Sequence, residues 1–343
     1  MQKEGTRGKR LNVASFFSGC GGFDLGFEKA GFNIVLANDF WLPAANTFKN
    51  NFPNTEFLLK NIKDITKNQL MEVLKKKNVD KMNVVIGGPP CQCFTRLNNN
   101  NLRRDDERNH LFKDYLKMIE FLKPEFVVME NVADLLVRKD TKGRYFKDLI
   151  LDSFKEIGYS ISFKVFETEK YGVPQKRRRV IFLATNKDLE LSFPKESNNI
   201  ATSGEFLKKL KNKKNLKNHE ITENGPDMLN RIRHIPLGGY YESLPENLKV
   251  KKVRQGKLVT VKRYGSYLRR IKNDKPAITI TTNYIIHPDE DRFLTNREKA
   301  VLHTFPQNFI FWGGRGSVSQ QIANAVPPKL AEKIAKHILK TYY

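Results

Sequence analysis

Through its first half the chain alternates short apolar runs with helix-like segments, and this alternation restricts the fold more than any other feature. Asn12 to Phe17 is an apolar run ending in Ser18-Gly19-Cys20-Gly21-Gly22, and a helical stretch follows to about Ala30. Asn33 to Ala37 forms a second short strand and Trp41 to Asn50 a helix. Lys67 to Lys77 is helical, Met82 to Ile86 a strand, and His110 to Leu122 a helix with Leu111, Phe112, Tyr115, Leu116 and Ile119 on its apolar side. Glu125 to Met129 and Val180 to Ala184 are further strands, with a helix from Tyr145 to Ile157 between them. Apolar strands alternating with helices predict an α/β fold, Rossmann-like, with a mostly parallel sheet and helices on both faces. The alternation stops near residue 186. Residues 187 to 275 are irregular, basic and rich in Lys, Asn and Gly, and the stretch 208–219 (KKLKNKKNLKNH) is expected as a solvated face or loop. Order returns at Ala277-Ile278-Thr279-Ile280-Thr281-Thr282, and the chain closes with an amphipathic helix from Lys329 to Leu339. A variable segment inserted into an α/β scaffold often carries specificity, while the scaffold carries chemistry.

Charge narrows the partner. Sixty-one Lys and Arg against 37 Asp and Glu leave the chain at +24, which suits a polyanion such as nucleic acid. A basic surface in a Lys- and Asn-rich chain is the plainer explanation. No apolar run approaches the roughly 18 residues of a membrane span, and MQKEGTRGKR has no apolar segment behind it, unlike a signal peptide. Three cysteines, two of them one residue apart, do not suggest a disulfide framework and fit a reducing cytoplasm. The six His and three Cys show no metal-ligand spacing, so no metal is expected.

Two loops carry the candidate chemistry. Phe17-Ser18-Gly19-Cys20-Gly21-Gly22 sits between the first strand and the first helix, where a doubly wound sheet binds nucleotide-like ligands. Asp39 ends the second strand about twenty residues later, the usual place for a carboxylate that accepts from ribose hydroxyls. Asp64 falls at the next expected strand end. Either acid alone is equally a helix N-cap; together they favour an adenosine-bearing cofactor, with Phe40 placed to stack on the adenine. The second loop is Gly87-Gly88-Pro89-Pro90-Cys91-Gln92-Cys93, stiff backbone directly after a strand.

Gly88-Pro89-Pro90-Cys91-Gln92 resembles the catalytic motif of the DNA (cytosine-5) methyltransferases, and the resemblance runs along nearly the whole chain in the family's order. Phe17 to Gly22 is similar to the family's cofactor loop, Glu130-Asn131-Val132 to its Glu-Asn-Val motif, and Gln175-Lys176-Arg177-Arg178-Arg179 to its Gln-x-Arg-x-Arg. Arg292-Phe293-Leu294-Thr295-Asn296-Arg297-Glu298 resembles the motif supporting the hinge to the recognition domain, and Gln321 to Pro328 (QIANAVPP) resembles the last motif. The sequence departs from the family at Asn296, where proline is usual, at Ala323, where glycine is usual, and at Asp39, where glutamate is commoner. None of these removes a reacting group.

The resemblance implies S-adenosyl-L-methionine as cofactor, held by Phe17, Ser18, Gly19, Cys20, Gly21, Gly22, Asp39, Phe40, Asp64, Ile65, Pro90, Leu111, Asn324 and Val326. It implies Cys91, Gln92, Glu130, Gln175, Arg177 and Arg179 as the catalytic set. Carbon-5 of cytosine is a poor nucleophile until a thiolate adds to carbon-6, and cysteine is both a strong nucleophile and a tolerable leaving group. A thiol with an ordinary pKa of about 8.5 is only partly ionised at neutral pH; helix N-terminal amides, Arg177 or Arg179 would lower it. Glu130 is placed to supply or hold the proton at ring nitrogen-3, a task that burial of its carboxyl would assist. Without Cys91, Glu130-Asn131 would pass as a helix-capping pair. Cys93 is the competing nucleophile, but in the motif the reacting cysteine follows Pro-Pro directly.

The target carbon is unreachable inside a duplex, so the base must be flipped out. Residues 93–109 (CFTRLNNNNLRRDDERN) are expected as a mobile loop closing over it, or as a plain surface loop. Alternation along the strand points Arg177 and Arg179 together and Arg178 away; by resemblance they hold the flipped cytosine and its phosphate, with Gln175 ordering the pocket. The expected domains are a catalytic one, residues 11–188 completed by 290–343, and a target recognition domain, residues 189–289, where Arg231 to Tyr241 (RIRHIPLGGYY) resembles the family's recognition motifs. The partner implied is double-stranded DNA. Size and resemblance point to a monomeric cytoplasmic bacterial enzyme of a restriction-modification system, with a companion restriction endonuclease as functional partner and no membrane. Three rivals remain at this point: methylation of transfer RNA, whose enzymes share the Pro-Pro-Cys-Gln motif, a catalytically inactive DNA-binding relative, and an amino-methyltransferase, against which Gly-Pro-Pro-Cys argues.

Overall fold

The computed structural model describes residues 10–90, 110–140, 142–211, 213, 215–254, 257–260 and 267–343. They divide into two compact units: residues up to Glu167 with Arg178–Glu196 and Ala325–Tyr343, and Thr168–Arg177 with Ser197–Asn324.

The first unit is built on a seven-stranded sheet. Its strands are β1 (Asn12–Phe16), β2 (Asn33–Asp39), β3 (Glu56–Leu59), β4 (Val84–Gly87), β5 (Phe126–Val132), β6 (Ser160–Glu167) and β7 (Arg178–Thr185), in the order β3-β2-β1-β4-β5-β7-β6. The first five run parallel, and β7 is antiparallel to both β5 and β6. The central strands are buried on both faces, as their unbroken apolar runs require. Helices α1 (Gly22–Ala30), α2 (Leu42–Asn51), α3 (Lys67–Lys76), α4 (His110–Leu122), α5 (Phe146–Glu156) and α10 (Pro328–Tyr342) flank it. One core cluster joins Leu70, Val73 and Leu74 of α3, Tyr115 and Ile119 of α4, and Ile150 and Phe154 of α5 to the sheet residues Phe16, Val85, Val127 and Phe182. Strands β3 and β6 lie at the sheet edges; β6 is missing from the sequence reading, and β3 ends at Leu59 rather than at Asp64, where the sequence placed a strand end.

Helix α1 lies against α10 with almost no gap. An added Cβ at Gly26 would stand 2.3 Å from the Ala331 Cβ, 2.6 Å from the Glu332 nitrogen and 2.7 Å from the Pro328 oxygen, two of them backbone atoms that cannot swing aside.

The second unit is irregular, with short elements: α6 (Ser203–Leu207), α7 (Pro226–Arg233), α8 (Asn296–Leu302), α9 (Arg315–Asn324), the antiparallel pair β8 (Lys251–Arg254) and β9 (Lys257–Thr260), and the two-residue parallel pair β10 (Arg269–Arg270) and β11 (Ile285–Ile286). A small core gathers Ile232, Ile235, Tyr241, Leu244, Leu268, Ile286 and Phe293. Arg270 ties it together, donating to the carbonyls of Ile232 and Ile235 at 2.8 Å and to Asp291 Oδ1 at 2.8 Å. Residues 277–280 do not form a regular strand; they lie along 174–177, with Lys176 N–H donating to the Ala277 carbonyl at 2.8 Å and Ala277 N–H to the Pro174 carbonyl at 2.9 Å. The hinge-like segment Arg292–Glu298 closes on itself: Arg292 donates to Glu298 through both terminal nitrogens, at 2.8 and 2.7 Å, and Thr295 caps α8.

Lys299 of α8 is buried, donating to Ser319 Oγ at 3.0 Å and the Asn283 carbonyl at 3.3 Å, and no ion pair to it is found among the described residues. Burial, aided by the like charge of Arg315, pushes its amine down to about 8 from an ordinary 10.5. Between those values the unfolded chain binds the extra proton, so this group's contribution to stability rises with pH through that window.

Two outcomes are expected. Gly26→Ala should cost about 1–3 kcal/mol in thermal unfolding through overpacking of α1 on α10; an unchanged midpoint would mean that the two helices can separate freely. Lys299→Met should stabilise the protein at pH 7 by at most about 3 kcal/mol. The gain should shrink as the pH rises from 8 towards 10.5; melting curves showing a pH-independent gain would remove the buried charge as its cause.

Candidate active site

The strand order reverses between β1 and β4, the point where an open α/β sheet leaves a crevice beyond its carboxyl ends. A cavity of about 190 Å³ lies there, lined by Phe17, Asn38, Asp39, Phe40, Lys60, Asn61, Ile62, Pro90 and Leu111. Five of these were expected from sequence: Phe17, Asp39, Phe40, Pro90 and Leu111.

The loop from Phe17 to Gly22 is held by the end of β2. Ser18 Oγ lies 3.0 Å from both the nitrogen and the oxygen of Asn38, accepting from the first and donating to the second. Asp39 Oδ2 accepts from Gly19 N–H at 2.8 Å and Oδ1 from Trp41 N–H at 2.9 Å. Gly19 and Gly21 take positive φ values of 54° and 91°, conformations costly for a residue with a Cβ. At Gly21 an added Cβ would also stand 2.4 Å from the Phe52 ring. Burial pushes the Asp39 carboxyl up, opposed by the N–H groups of Trp41, Gly19 and Phe40. Cys20 is buried, and that burial pushes its thiol up, as expected for an inert side chain. Asp24, in the first turn of α1, is wholly buried and pushed up to about 7, largely by desolvation.

The donor set suits an adenosine. Each Asp39 oxygen keeps a further lone pair for a ribose hydroxyl, and the Phe40 ring is 65% exposed at the cavity lip, a free face for a purine. Asp64 and Ile65 lie off the cavity lining: Asp64 is exposed at the end of a 3-10 turn, and Ile65 packs in the core. Val326 is buried just before α10, and Asn324 closes α9, where it accepts from Gln320 at 2.6 Å. The sequence reading missed Asn38, Lys60, Asn61 and Ile62. Asn38 had a detectable signal, an amide inside an apolar strand; its Nδ2 donates to the carbonyls of Leu58 and Lys60, binding the end of β2 to the chain after β3.

At the next strand ends, Glu130 and Arg179 form an ion pair with Arg179 Nε 2.7 Å from Glu130 Oε1. Register explains it. Glu130 faces Ile181 and Val132 faces Arg179 across the antiparallel β5–β7 ladder, so the two charged residues are diagonal neighbours on one face. Arg178 points the other way and is exposed. Glu130 Oε2 lies 3.4 Å from where a Cβ would stand on Gly88. Asn131 Nδ2 donates to the Pro89 carbonyl at 3.0 Å, fastening the Gly88-Pro89-Pro90 turn to β5. Cys91, Gln92 and the expected mobile loop 93–109 lie outside the described residues.

Gln175 and Arg177 belong to the second unit. Gln175 is fully buried, its Oε1 accepting from Ile280 N–H at 2.8 Å and its Nε2 lying 2.9 Å from His303 Nδ1. Arg177 Nη2 donates to the Ala323 carbonyl at 2.8 Å and Nη1 to the Ile280 carbonyl at 3.4 Å. Among the described residues no group of three or more His, Cys, Asp or Glu is placed to hold a metal ion. None of the described helices is long and apolar enough to cross a membrane.

This sheet order, with its antiparallel β7 and its cavity at the switch point, defines a Rossmann-like S-adenosylmethionine-dependent methyltransferase. The chain matches the C-5 cytosine-specific DNA methylases over residues 11–340 and belongs to that family. It is 34% identical to the type II methyltransferase M1.HphI of Haemophilus parahaemolyticus, over 96% of this chain and 87% of that one. To the type II methyltransferase M.MthTI of Methanothermobacter thermautotrophicus it is 35% identical, over 96% and 97%. The solved Entamoeba histolytica methyltransferase EhMeth shares the fold with a TM-score of 0.66 at 18% identity, over 98% of this chain and 100% of that one. The protein is thus a DNA cytosine-5 methyltransferase.

Asp39→Ala should leave the fold intact and weaken S-adenosylmethionine binding about tenfold or more, the value of hydrogen bonds to a charged group. Calorimetry would check this, and an unchanged affinity would remove Asp39 from the ribose site.

Proposed function

We propose that Cys91, Glu130 and Arg179 carry the methylation of a flipped cytosine, and that Asp39 and Phe40 hold the adenosine of S-adenosylmethionine. The observation that carries this reading is the Glu130–Arg179 pair beside a Gly88-Pro89 turn that Asn131 fastens in place. The Cys91 thiolate gives its electron pair to carbon-6 of the ring. Negative charge moves towards nitrogen-3, where Glu130 delivers or holds a proton. Arg179 keeps the Glu130 carboxyl aimed, as a charge-assisted hydrogen bond does. Carbon-5, now enamine-like, is nucleophilic. S-adenosylmethionine, when bound, supplies the electrophilic methyl group. Solvent water then takes the carbon-5 proton, the electron pair of that bond expels the Cys91 thiolate, and nitrogen-3 gives its proton back to Glu130, which restores the aromatic ring and leaves the protein unchanged.

Residues 189–289 serve as the target recognition segment, with their Lys and Arg contacting phosphates and base edges. The substrate is duplex DNA of a short specific sequence, and the type II relatives support a role in protecting host DNA beside a restriction endonuclease.

Bisulfite sequencing of plasmid DNA incubated with the protein and S-adenosylmethionine tests the reading. Methylated cytosines should fall in one short motif and vanish with Cys91→Ser, whose cofactor affinity should persist. Glu130→Gln should lower turnover by about a hundredfold. Full activity of the serine variant would exclude Cys91 as nucleophile, and less than a tenfold loss in the glutamine variant would exclude Glu130 as the acid.

A further inference from the structure

Gln175 and His303 are both fully buried, 128 positions apart in sequence. The Gln175 carboxamide bridges two groups, the Ile280 nitrogen at 2.8 Å and His303 Nδ1 at 2.9 Å. A backbone N–H can only donate, so the amide oxygen must face Ile280 and the amide nitrogen must face His303. That nitrogen has no lone pair to offer. His303 Nδ1 is therefore the acceptor, and the ring carries its proton on Nε2.

The consequence lies one residue further along. Ile280 is gripped on both sides, its N–H by Gln175 and its carbonyl by Arg177. The backbone of Gln175 is held independently, by Val173 and by the Thr168 hydroxyl. Loss of the acceptor at His303 thus acts on the carboxamide rather than on the chain path. A buried amide N–H₂ without a partner is costly, and it is relieved by rotation of the carboxamide away from Ile280. The Ile280 carbonyl, which with that of Ala323 holds the Arg177 guanidinium, then moves with it.

We propose that His303, in its Nε2–H tautomer, is a positioning residue for methyl transfer: it locks the Gln175 carboxamide and, through Ile280, sets the Arg177 guanidinium. The inference rests on the reading that Arg177 helps to hold the flipped nucleotide. His303 stands in the segment after α8, stacked on Phe305 with ring planes 15° apart, and acts through Gln175 rather than on the base itself.

Two variants separate positioning from packing. His303→Asn keeps an acceptor where Nδ1 stands; His303→Leu keeps bulk and removes it. Turnover is measured with plasmid DNA and tritiated S-adenosylmethionine, cofactor affinity by calorimetry, and folding by thermal melting. The ring-nitrogen shifts of His303 are read from ¹⁵N-histidine-labelled wild type and assigned by the asparagine variant. His303→Leu should lower kcat about tenfold or more, as a misplaced guanidinium would, with cofactor affinity kept. His303→Asn should recover most of that loss, and the wild-type ring should show a pyridine-like Nδ1. An asparagine variant no better than leucine, a fully active leucine variant, or a protonated Nδ1 would overturn the proposal. If the leucine variant does not fold, the asparagine variant and the nitrogen shifts decide. Plasmid left unmethylated by wild type would instead defeat the reading of the site, and the nitrogen shifts alone would then decide the tautomer and with it the inference.

Discussion

The parallel ladder through β1 fixes where everything reactive can be. Phe16, the last residue of β1, lies opposite Asn38 on one side and Gly87 on the other, and Gly87 lies opposite Met129. β1, β2 and β4 therefore end at about one level, so the loops that begin at Phe17, Phe40 and Gly88 leave the sheet along one edge, while β5 runs three residues further, to Val132, on its pairing with β7. Parallel strands hydrogen-bond at even spacing, so none of these ends can slip without breaking its neighbours' pairing. The antiparallel β7 adds something that a parallel strand cannot. It reaches the same edge with its first residues, so Arg179, near its start, meets Glu130, near the end of β5.

The loops themselves are set by buried polar side chains rather than by packing. The Ser18 hydroxyl satisfies both backbone groups of Asn38, Asp39 receives two N–H groups, and Asn131 holds the Pro89 carbonyl. Each of these residues sits within two positions of a strand end, where backbone groups lose their ladder partners and would otherwise be buried without any. Two of the residues in this network, Asn38 and Asp39, also line the cavity at the switch point.

How much of this was legible followed from the range of the interactions. Strands buried on both faces and helices with an apolar stripe are visible in the local pattern, and β1, β2, α4 and α10 were found within a few residues. Strand β3 is four residues long and only partly buried, and its short run Phe57-Leu58-Leu59 left its end misplaced at Asp64. Strand β6 alternates polar and apolar along Ser160-Ile161-Ser162-Phe163-Lys164-Val165-Phe166 and had a period-two signal that went unread. In the site, Asp39 and Phe40 were singled out by their position at the end of a strand, and both line the cavity. Ile280 and His303 were invisible because each matters through a partner distant in sequence, and Asn38 showed only as an amide inside an apolar strand. The irregular second unit left the least trace, since its order depends on side-chain donors rather than on periodic burial.

Those donors also change the meaning of the chain's charge. In the second unit, Arg270 donates to the carbonyls of Ile232, Ile235, His287 and Glu290, and Arg297 to those of Lys217, Pro306 and Phe309. Arg177 and Arg231 likewise end on backbone carbonyls. A planar guanidinium with five donors can satisfy several loop carbonyls at once, which a lysine cannot. These arginines act as a substitute for the sheet ladders that the segment lacks. Part of the +24 excess is therefore structural and buried, turned towards the protein's own backbone. The exposed remainder of that charge is rich in lysines such as Lys208, Lys209, Lys211 and Lys217. Arginine turned inward and lysine turned outward account for a unit that is both strongly basic and internally ordered.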